Sequence, residues 1–244
     1  MNRLHLPRAQ LAGDRVLVSG EALSYLRDVL RLKPGDSLEL FDGEGRVYAA
    51  RLARWTESGA ELELGAAEDR PFAGVRVTIA QGLPKADKLE LVVQKAVELG
   101  ATRVVPVACE RSIVKLDRKR AAERVTRWQR IADEAARQCG RAELLTVEPV
   151  STFEAFVTTA RNAGEIRLIL DEEERSHRLR DALTDRTAPY VLLVGPEGGL
   201  TRDEVANAKR HGFAPVTLGP RILRTETVAL AVLAITQHVL GDLG

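Results

Sequence analysis

Hydrophobic and polar positions in the first 70 residues alternate in short runs, as expected of strands joined by turns. One exception is the helical spacing of Leu23, Leu26 and Leu30, which predicts a short amphipathic helix. The strand-like runs are Ser37 to Phe41, Arg46 to Ala53 and Glu61 to Leu64, with a turn at Asp42 to Gly45. This pattern predicts a small β-rich domain over residues 1–70, bounded by the stretch Gly65 to Gly74, which is rich in Ala, Pro and charge.

From Val75 onward the pattern changes to strands that alternate with helices. Strands are predicted at Val75 to Ala80, Arg103 to Ala108, Ile166 to Leu170, Tyr190 to Gly195 and Pro215 to Leu218. Helices are predicted at Leu89 to Leu99, about Lys119 to Gln138, Thr201 to Gly212 and Thr225 to Leu240. Thr201 and Glu204 have the spacing of a capping box. Such alternation is typical of a parallel sheet with helices on both faces, so residues 73–244 are predicted to form an α/β domain.

The last predicted helix, Thr225 to Leu240, is apolar on nearly every side. A helix that covers one sheet surface normally carries a polar face toward solvent. This helix is therefore expected to be buried by more than a single sheet surface.

Composition excludes several classes of protein. The 244 residues carry a net charge of +1 and are 45% hydrophobic, so the chain is not a polycation and has ample material for a core. Cys109 and Cys139 are far apart and form no CxxC, so neither disulfides nor a zinc site are expected, and a reducing cytoplasm is the default location. The first ten residues lack the apolar core of a signal peptide, and the longest apolar run, Val228 to Ile235, is too short for a membrane span.

Two loops near the C-terminus are the main candidates for chemistry. Gly195 to Leu200 (GPEGGL) and Leu218 to Thr227 (LGPRILRTET) each follow a predicted strand. Ligands of open α/β sheets bind at the carboxyl edge of the strands, where glycines let the backbone approach them closely. The P-loop and Rossmann patterns are both missing, which disfavours an ATPase or a dehydrogenase. Each loop alone is also compatible with a purely structural turn.

Positive charge is concentrated upstream of these loops. Between Arg111 and Arg130 there are eight basic residues and two acidic ones, enough to neutralise phosphates locally in a nearly neutral protein. A solvated helix face has the same composition, so the cluster does not decide by itself. The acidic run Asp171 to Glu174 is expected to lie off an RNA-binding face, or to place Asp171 in a ligand pocket, because that residue directly follows a strand.

Taken together, the two loops resemble those of the SPOUT superfamily of methyltransferases, and specifically of its RsmE-type members. Further stretches are similar to that family, in the same order. They are LRDVLRLKPGD (Leu26 to Asp36), FDGEG (Phe41 to Gly45), QGLPKADKLELVVQKAVELG (Gln81 to Gly100), ERS (Glu110 to Ser112) and RWQRIADEAARQCGR (Arg127 to Arg141). The chain departs from the family at Ser24-Tyr25, where histidines are usual, at Arg137-Gln138-Cys139, where an EQS-type triplet is usual, and at Val228, where a smaller residue is commoner.

The resemblance implies an enzyme that uses S-adenosylmethionine to methylate N3 of a uridine in small-subunit ribosomal RNA, as free RNA or as an assembled 30S subunit. It implies a C-terminal parallel-sheet SPOUT domain with a trefoil knot, preceded by a small PUA-like β-barrel domain that contacts RNA. It also implies a homodimer whose active site uses residues of both subunits. No metal and no membrane partner are expected. A knot would explain why the last helix is apolar all round.

The expected site residues come from the loops and the resemblance. Cofactor binding is expected from Leu170, Val194, Gly195, Pro196, Glu197, Gly198, Gly199, Leu218, Gly219, Ile222, Leu223 and Thr227. Arg141 or Arg224 is expected to stabilise the uracil anion, with Glu197 or Glu226 accepting the proton. RNA is expected to contact Arg27, Arg31, Arg111, Lys115, Arg118, Lys119 and Arg120.

Two alternatives stay open at this point. A SPOUT enzyme with the same loops could methylate another RNA base or a ribose 2′-hydroxyl, although the similar stretches outside the loops favour uridine N3. A non-catalytic RNA-binding factor of ribosome assembly is the second alternative, and the intact pair of loops argues against it.

Overall fold

The computed structural model describes residues 2–114, 116–160 and 162–244, which form two compact units. The first unit comprises Met1–Phe72 and Ala136–Leu144, and the second comprises Ala73–Ala135 and Leu145–Gly244. The sequence pattern gives no sign that residues 136–144 pack with the first unit, because they continue a helix that begins in the second.

The first unit is built on a five-stranded sheet with the order β1-β3-β4-β5-β2. Its strands are β1 (Arg3–His5), β2 (Arg15–Val18), β3 (Ser37–Phe41), β4 (Arg46–Thr56) and β5 (Gly59–Asp69). β1 runs parallel to β3, and the other neighbours are antiparallel. Helix α1 (Gly20–Ser24) continues into a π-helical turn at Tyr25–Val29 that buries Leu26 against the sheet.

The predicted hairpin in this unit is confirmed, because β3 pairs antiparallel with β4. The predicted helix around Leu23 to Leu30 is present but begins three residues earlier and changes to the wider π-helical turn. β5 continues to Asp69, so part of the stretch Gly65 to Gly74, where the domain boundary was predicted, pairs with β4. β1 and β2 were not predicted because three or four residues are too few for a periodic signal.

The second unit is built on a parallel sheet, as predicted, and its strands lie in the order β12-β10-β11-β6-β7-β8. Its strands are β6 (Val77–Gly82), β7 (Ala101–Ala108), β8 (Thr146–Val147), β9 (Ser151–Thr152, paired with β7), β10 (Ile166–Leu170), β11 (Tyr190–Val194) and β12 (Phe213–Val216). β11 is buried along its whole length, as the interior strand of a sheet covered on both faces should be. The strand predicted at Pro215 to Leu218 was placed two residues too late. β12 is an edge strand, where Pro215 is tolerated inside the strand.

Helices cover this sheet. They are α2 (Lys88–Glu98), α3 (Arg118–Cys139), α4 (Phe153–Thr158), α5 (Leu179–Ala182), α6 (Arg202–Arg210) and α7 (Thr225–Leu240). The predicted capping box is confirmed, because the Thr201 hydroxyl accepts from the Glu204 N–H while the Glu204 carboxylate accepts from the Thr201 N–H. Within the described residues, no helix has both the length and the hydropathy needed to cross a bilayer.

Helix α7 packs on α2, on α5 and on strands β6 and β11, which explains its apolar composition. Gln237 is fully buried and bridges two chain segments. Its side chain accepts from the Val75 N–H and donates to the carbonyls of Val75 and Gly100. Burial is not complete all round, because Leu230 and Ile235 are half-buried and Val239 is 40% exposed.

The chain crosses from the edge of the sheet back to its centre between β12 and α7. β12 lies at the edge, yet Thr225 at the start of α7 is hydrogen-bonded to Gly195 after β11 and to Gln81 in β6. This crossing brings the loop after β12 beside the loop after β11. The carboxyl ends of β10, β11 and β12 therefore meet at one place.

Candidate functional site

A cavity of about 420 Å³ lies at the carboxyl ends of β10, β11 and β12. Its walls come from the three loops that follow these strands and from the first turn of α7. Most of the residues predicted for cofactor binding line it. These are Leu170, Val194, Gly195, Pro196, Glu197, Gly199, Leu218, Gly219, Ile222 and Leu223, and Arg224 lines it as well.

The loop Gly195–Leu200 forms a cradle that needs glycine at two places. A Cβ on Gly195 would come within 3.0 Å of the Leu200 side chain and 3.2 Å of its backbone nitrogen. Gly199 has a φ of +69°, in the left-handed region that favours glycine, and a Cβ there would approach the Glu172 carboxylate. Both positions keep the backbone close to the cavity.

Gly198 and Thr227 do not line the cavity, although the sequence predicted both to bind the cofactor. The Gly198 carbonyl instead accepts a hydrogen bond of 2.9 Å from the Arg111 guanidinium. Thr227 is an exposed residue in the first turn of α7. A helix turns about 100° per residue, so Thr225 and Thr227 point to different sides.

A buried chain of hydrogen bonds fixes the loop Gly195–Leu200 to the sheet. The Thr225 hydroxyl donates to the Gly195 carbonyl at 2.6 Å and accepts from the Gln81 amide at 2.8 Å. Gln81 is fully buried in β6, and Thr225 is 6% exposed. Gln81 is a residue that no motif singled out. The sequence does contain a signal for it, a lone amide in the apolar run VTIAQG, because a buried polar side chain needs a partner.

Lys88 is a second residue of the site that no sequence motif singled out. It begins α2 and lines the cavity, and its ammonium nitrogen lies 3.1 Å from Glu197 Oε1 and 3.2 Å from Glu226 Oε2. The hydrogen bond with Glu197 raises the pKa of Lys88. Burial alone would raise the pKa of Glu197, but the Lys85 N–H and Lys88 outweigh it and lower that pKa. The shifts of Lys88 and Glu197 both favour the charged forms of the pair.

The acidic run after β10 contributes to the cavity wall, as the second interpretation of that run predicted. Asp171 and Glu172 line the cavity, and Asp171 makes a two-pronged ion pair with Arg202 at 2.8 and 3.0 Å. Burial opposes ionisation of Asp171, but the hydrogen bonds from Arg202 prevail and lower its pKa. The wall thus carries the carboxyl groups of Asp171 and Glu172.

The loop Leu218–Arg224 presents exposed side chains at the cavity. Arg221, Ile222 and Arg224 all line it and are exposed, with Ile222 at 86%. Within the described part of the chain, the guanidinium groups of Arg221 and Arg224 form no ion pair. Arg224 is the N-cap residue of α7, so a predicted catalytic cation stands at the helix start.

The remaining predicted catalytic residues lie elsewhere. Glu226 is not part of the cavity wall, but its ion pair with Lys88 ties it to a residue that is. Arg141 belongs to the first unit, where its guanidinium lies 4.7 Å from the centre of the Phe72 ring and its carbonyl accepts from Arg3. Arg141 does not line the cavity.

The predicted RNA contacts fall into separate groups. Arg118, Lys119 and Arg120 form the exposed first turn of α3. Arg27 and Arg31 are exposed in the first unit, and Arg31 has an unusual φ of +53° for a residue other than glycine. Arg111 supports the Gly198 carbonyl. Lys115 lies outside the described residues.

Aromatic side chains offer few platforms for a base. Phe41 and Trp128 are buried, as expected of core residues. Tyr25 is half-buried, and the Arg137 guanidinium lies 4.6 Å from its ring centre. Phosphate and shape recognition therefore fits this surface better than stacking on several bases.

The cavity has the donor set that S-adenosylmethionine requires. Its volume lies within the range of roughly 300–1,000 Å³ typical of small-molecule sites. Backbone groups of two glycine-containing loops suit the adenosine part of the cofactor. The carboxyl groups of Asp171 and Glu172 suit its positively charged sulfonium and amino groups. Within residues 2–114, 116–160 and 162–244, no group of three His, Cys, Asp or Glu side chains is arranged to hold a metal ion.

Comparison with protein families gives two matches. Residues 72–237 match the model of an RNA methyltransferase domain. Residues 18–64 match the model of an RNA methyltransferase PUA domain. Together they extend over most of the chain.

Individual relatives agree with these matches. The ribosomal RNA small subunit methyltransferase E of Bacillus subtilis is 32% identical over 91% of this chain and 89% of its own length. That of Synechocystis is 35% identical over 95% of this chain and 76% of its own. The crystal structure of a ribosomal RNA small subunit methyltransferase E from Neisseria gonorrhoeae, bound to S-adenosyl methionine, has a TM-score of 0.90 and 34% identity over all of both chains.

Proposed function

The chain belongs to the ribosomal RNA small subunit methyltransferase E family, and on that premise we propose that it methylates N3 of a uridine in small-subunit ribosomal RNA, using S-adenosylmethionine. The observation that carries the proposal is the cavity between the loops after β10, β11 and β12. It joins a glycine cradle, acidic groups and an exposed arginine at one place. The related structure from Neisseria gonorrhoeae is bound to S-adenosyl methionine.

The residues proposed to hold the cofactor are those that line this cavity. The backbones of Gly195 to Leu200 and of Leu218 to Leu223 would hold the adenosine. Asp171 or Glu172 would face the positively charged part of S-adenosylmethionine. When bound, S-adenosylmethionine supplies an electrophilic methyl group. In the transfer the S–CH₃ bond breaks and the N3–CH₃ bond forms, and S-adenosylhomocysteine and one proton are released.

The N3–H of uracil is a weak acid, so the site must favour its anion. An arginine near the uracil oxygens does this, because a positive charge stabilises negative charge on them. Of the two arginines predicted for this role, Arg224 lines the cavity, and we assign the role to Arg224. Holding the base in line with the methyl group supplies the other part, up to ~7–11 kcal/mol for well-oriented reactants.

We assign RNA binding to the basic first half of α3 and to Arg27 and Arg31 of the first unit. Arg118, Lys119, Arg120, Arg124 and Arg127 recur along α3, and each phosphate they neutralise makes affinity more salt-dependent. Arg127 is partly engaged by Glu90 at 2.9 Å. A match to a PUA domain of RNA methyltransferases supports a second contact from the first unit.

We further propose a cytoplasmic homodimer. Support comes from apolar side chains that remain open to solvent in the second unit. Ile222 is 86% exposed at the cavity, and Val239 is 40% exposed on α7. A second copy of the chain that covered these side chains would remove their apolar surface from water. Such burial stabilises association by about 25 cal/mol for each Å² of apolar surface.

The test is methyl transfer from labelled S-adenosylmethionine to 30S subunits that lack the modification, with free 16S-type RNA in parallel. The RNA is digested, and its nucleosides are identified by mass spectrometry. Label in 3-methyluridine is expected. Label in another base or in a 2′-O-methyl nucleoside would overturn the specificity, and no transfer together with no cofactor binding would favour an assembly factor.

A further inference from the structure

Lys88 occupies a position that local helix chemistry disfavours. It is the first residue of α2, where the helix dipole presents positive charge and a cation is unfavourable. The preceding Asp87 makes no side-chain capping bond that would compensate. A residue that breaks a local rule calls for a compensating interaction elsewhere in the structure.

The compensation comes from two carboxylates on two other elements. Lys88 Nζ lies 3.1 Å from Glu197, in the loop after β11, and 3.2 Å from Glu226, in the first turn of α7. The side chains are 31%, 25% and 14% exposed, so the three groups are sheltered but not sealed from water. One ammonium group thus connects three elements at the rim of the cavity.

We propose that Lys88 is a positioning residue for methyl transfer, fixing the side chains of Glu197 and Glu226 beside the substrate cavity. The inference rests on the proposed function and adds to it a residue that acts through the two carboxylates. One ammonium group lies within 3.2 Å of both carboxylates, so its positive charge attracts both side chains to the same place. The raised pKa of Lys88 and the lowered pKa of Glu197 agree with this arrangement.

The two glutamates that Lys88 contacts differ in their other partners. Glu197 Oε1 already accepts the Lys85 N–H at 3.0 Å as well as Lys88, so this carboxylate is committed to holding the loop. Glu226 is connected to the site through Lys88. Lys88 therefore links Glu226 in α7 to the loop that Glu197 holds.

Other charged groups around the cavity bear on the pH dependence. Those that line it are Asp171, Glu172, Arg175, Arg202, Arg221 and Arg224. Asp171 is ion-paired with Arg202. Glu197 is the carboxylate of the cavity wall that contacts Lys88, so a change in the acid limb on replacing Lys88 is assigned first to Glu197.

The experiment measures methylation rate against pH for the full-length protein and for Lys88→Met. Lys88 is one of the groups that lower the pKa of Glu197, so its loss is expected to move the acid limb to higher pH by about one unit. Turnover at the optimum is expected to fall about 10- to 100-fold because Glu197 and Glu226 are no longer held in place. Lys88→Arg should keep the acid limb near that of the wild type, because the positive charge remains.

Lys95→Met is the matched control. Lys95 lies on the same helix and pairs with Glu98 at 2.8 Å, away from the cavity, so its loss removes an ion pair without touching the site. Its pH profile should match the wild type. Melting temperatures of all variants check that each one folds.

Affinity for S-adenosylmethionine across the same pH range gives a readout that needs no RNA. Glu197 belongs to the cavity wall. As the pH is lowered, the affinity of Lys88→Met for S-adenosylmethionine should therefore begin to fall at a higher pH than that of the wild type. If the wild type labels a nucleoside other than 3-methyluridine, the proposed specificity fails while the comparison of variants still stands. An unmoved acid limb in both the rate and the affinity of Lys88→Met would overturn the role of Lys88.

Discussion

The two loops that build the cavity are held very differently. The anchored loop, Gly195–Leu200, is fixed along its length: Gly195 accepts from Thr225, Glu197 from the Lys85 N–H, and Gly198 from Arg111. The open loop, Leu218–Arg224, is exposed from Pro220 to Ile222 and again at Arg224. Its local hydrogen bonds join Gly219 to Thr217.

This difference indicates a division of function. A loop fixed by three separate parts of the chain is formed before the ligand arrives, so binding does not have to supply its ordering entropy. A loop with exposed cations and an exposed isoleucine has groups that are still to be covered. We infer that the anchored loop mainly binds the cofactor, whereas the open loop also meets the RNA or a second subunit.

The largest expected effect comes from the open loop. Arg224→Ala should lower turnover about 100- to 1,000-fold, as for loss of one group that stabilises a developing anion. Affinity for S-adenosylmethionine should change little, because the exposed guanidinium acts on the base. Single-turnover rates and calorimetry separate the two quantities.

Arg210→Ala is a suitable control for that variant, since Arg210 is exposed at the end of α6 and contacts only its neighbour Asn207 among the described residues. Near-normal turnover of a folded Arg224→Ala protein would remove Arg224 from the catalytic residues.

The next effect tests the anchored loop. Gly195→Val should weaken S-adenosylmethionine binding at least about 10-fold, because Gly195 lines the cavity and its Cβ would lie 3.0 Å from the Leu200 side chain, which must then shift. Gly198→Val should cost less, because Gly198 does not line the cavity and its Cβ, 3.1 Å from Arg111 Cβ, meets a side chain. Equal losses in the two variants would contradict this distinction within the loop.

A smaller effect is expected from the joint between the loops. Thr225→Val removes the hydroxyl between Gln81 and Gly195, so of its two bonds the Gly195 carbonyl keeps only the longer one, of 3.3 Å from the Gln81 amide. This loss should cost about 1–3 kcal/mol of stability. Thr227→Val, at an exposed position two residues on, should cost much less. Urea unfolding of both variants measures the difference, and similar losses would show that the buried hydroxyl has no special part.

The smallest effect concerns the loop after β10, which differs from the anchored loop because Glu174 is bonded to neighbours within its own loop. Backbone N–H groups of Ser176 and His177 lower the pKa of Glu174 from 4.5 to about 2. Its contribution to stability is therefore complete above pH 4.5 and is lost as the pH falls toward 2. Wild type and Glu174→Gln should differ in melting temperature at neutral pH and converge in acid. A constant gap would contradict the assignment.

Much of this site could be predicted because its segments are local. The runs around β10 and β11, the capping box at Thr201 and the two glycine-containing loops are each written within a few consecutive residues. Strand, cap and turn preferences act at that range. The carboxyl edge of a parallel sheet then gathers such loops by topology.

What the sequence left open depended on contacts between distant parts of the chain. Lys88 and Gln81 join the site through partners more than a hundred residues away, and no local spacing reveals such a pair. Gly198 and Thr227 sit inside predicted segments, yet backbone direction turns them away from the cavity. Arg141 matches the family pattern but packs on Phe72 in the first unit.

The sequence by itself determined the order of strands and helices, the two loops and the family, since these follow from periodicity and short motifs. Only the tertiary structure decided which side chains of those loops face the cavity and which distant groups hold them. The physical reason is that burial and ion pairing depend on three-dimensional neighbours. Lys88 shows this most clearly, because a cation that is unfavourable at its own helix end is stabilised by two carboxylates from elsewhere in the chain.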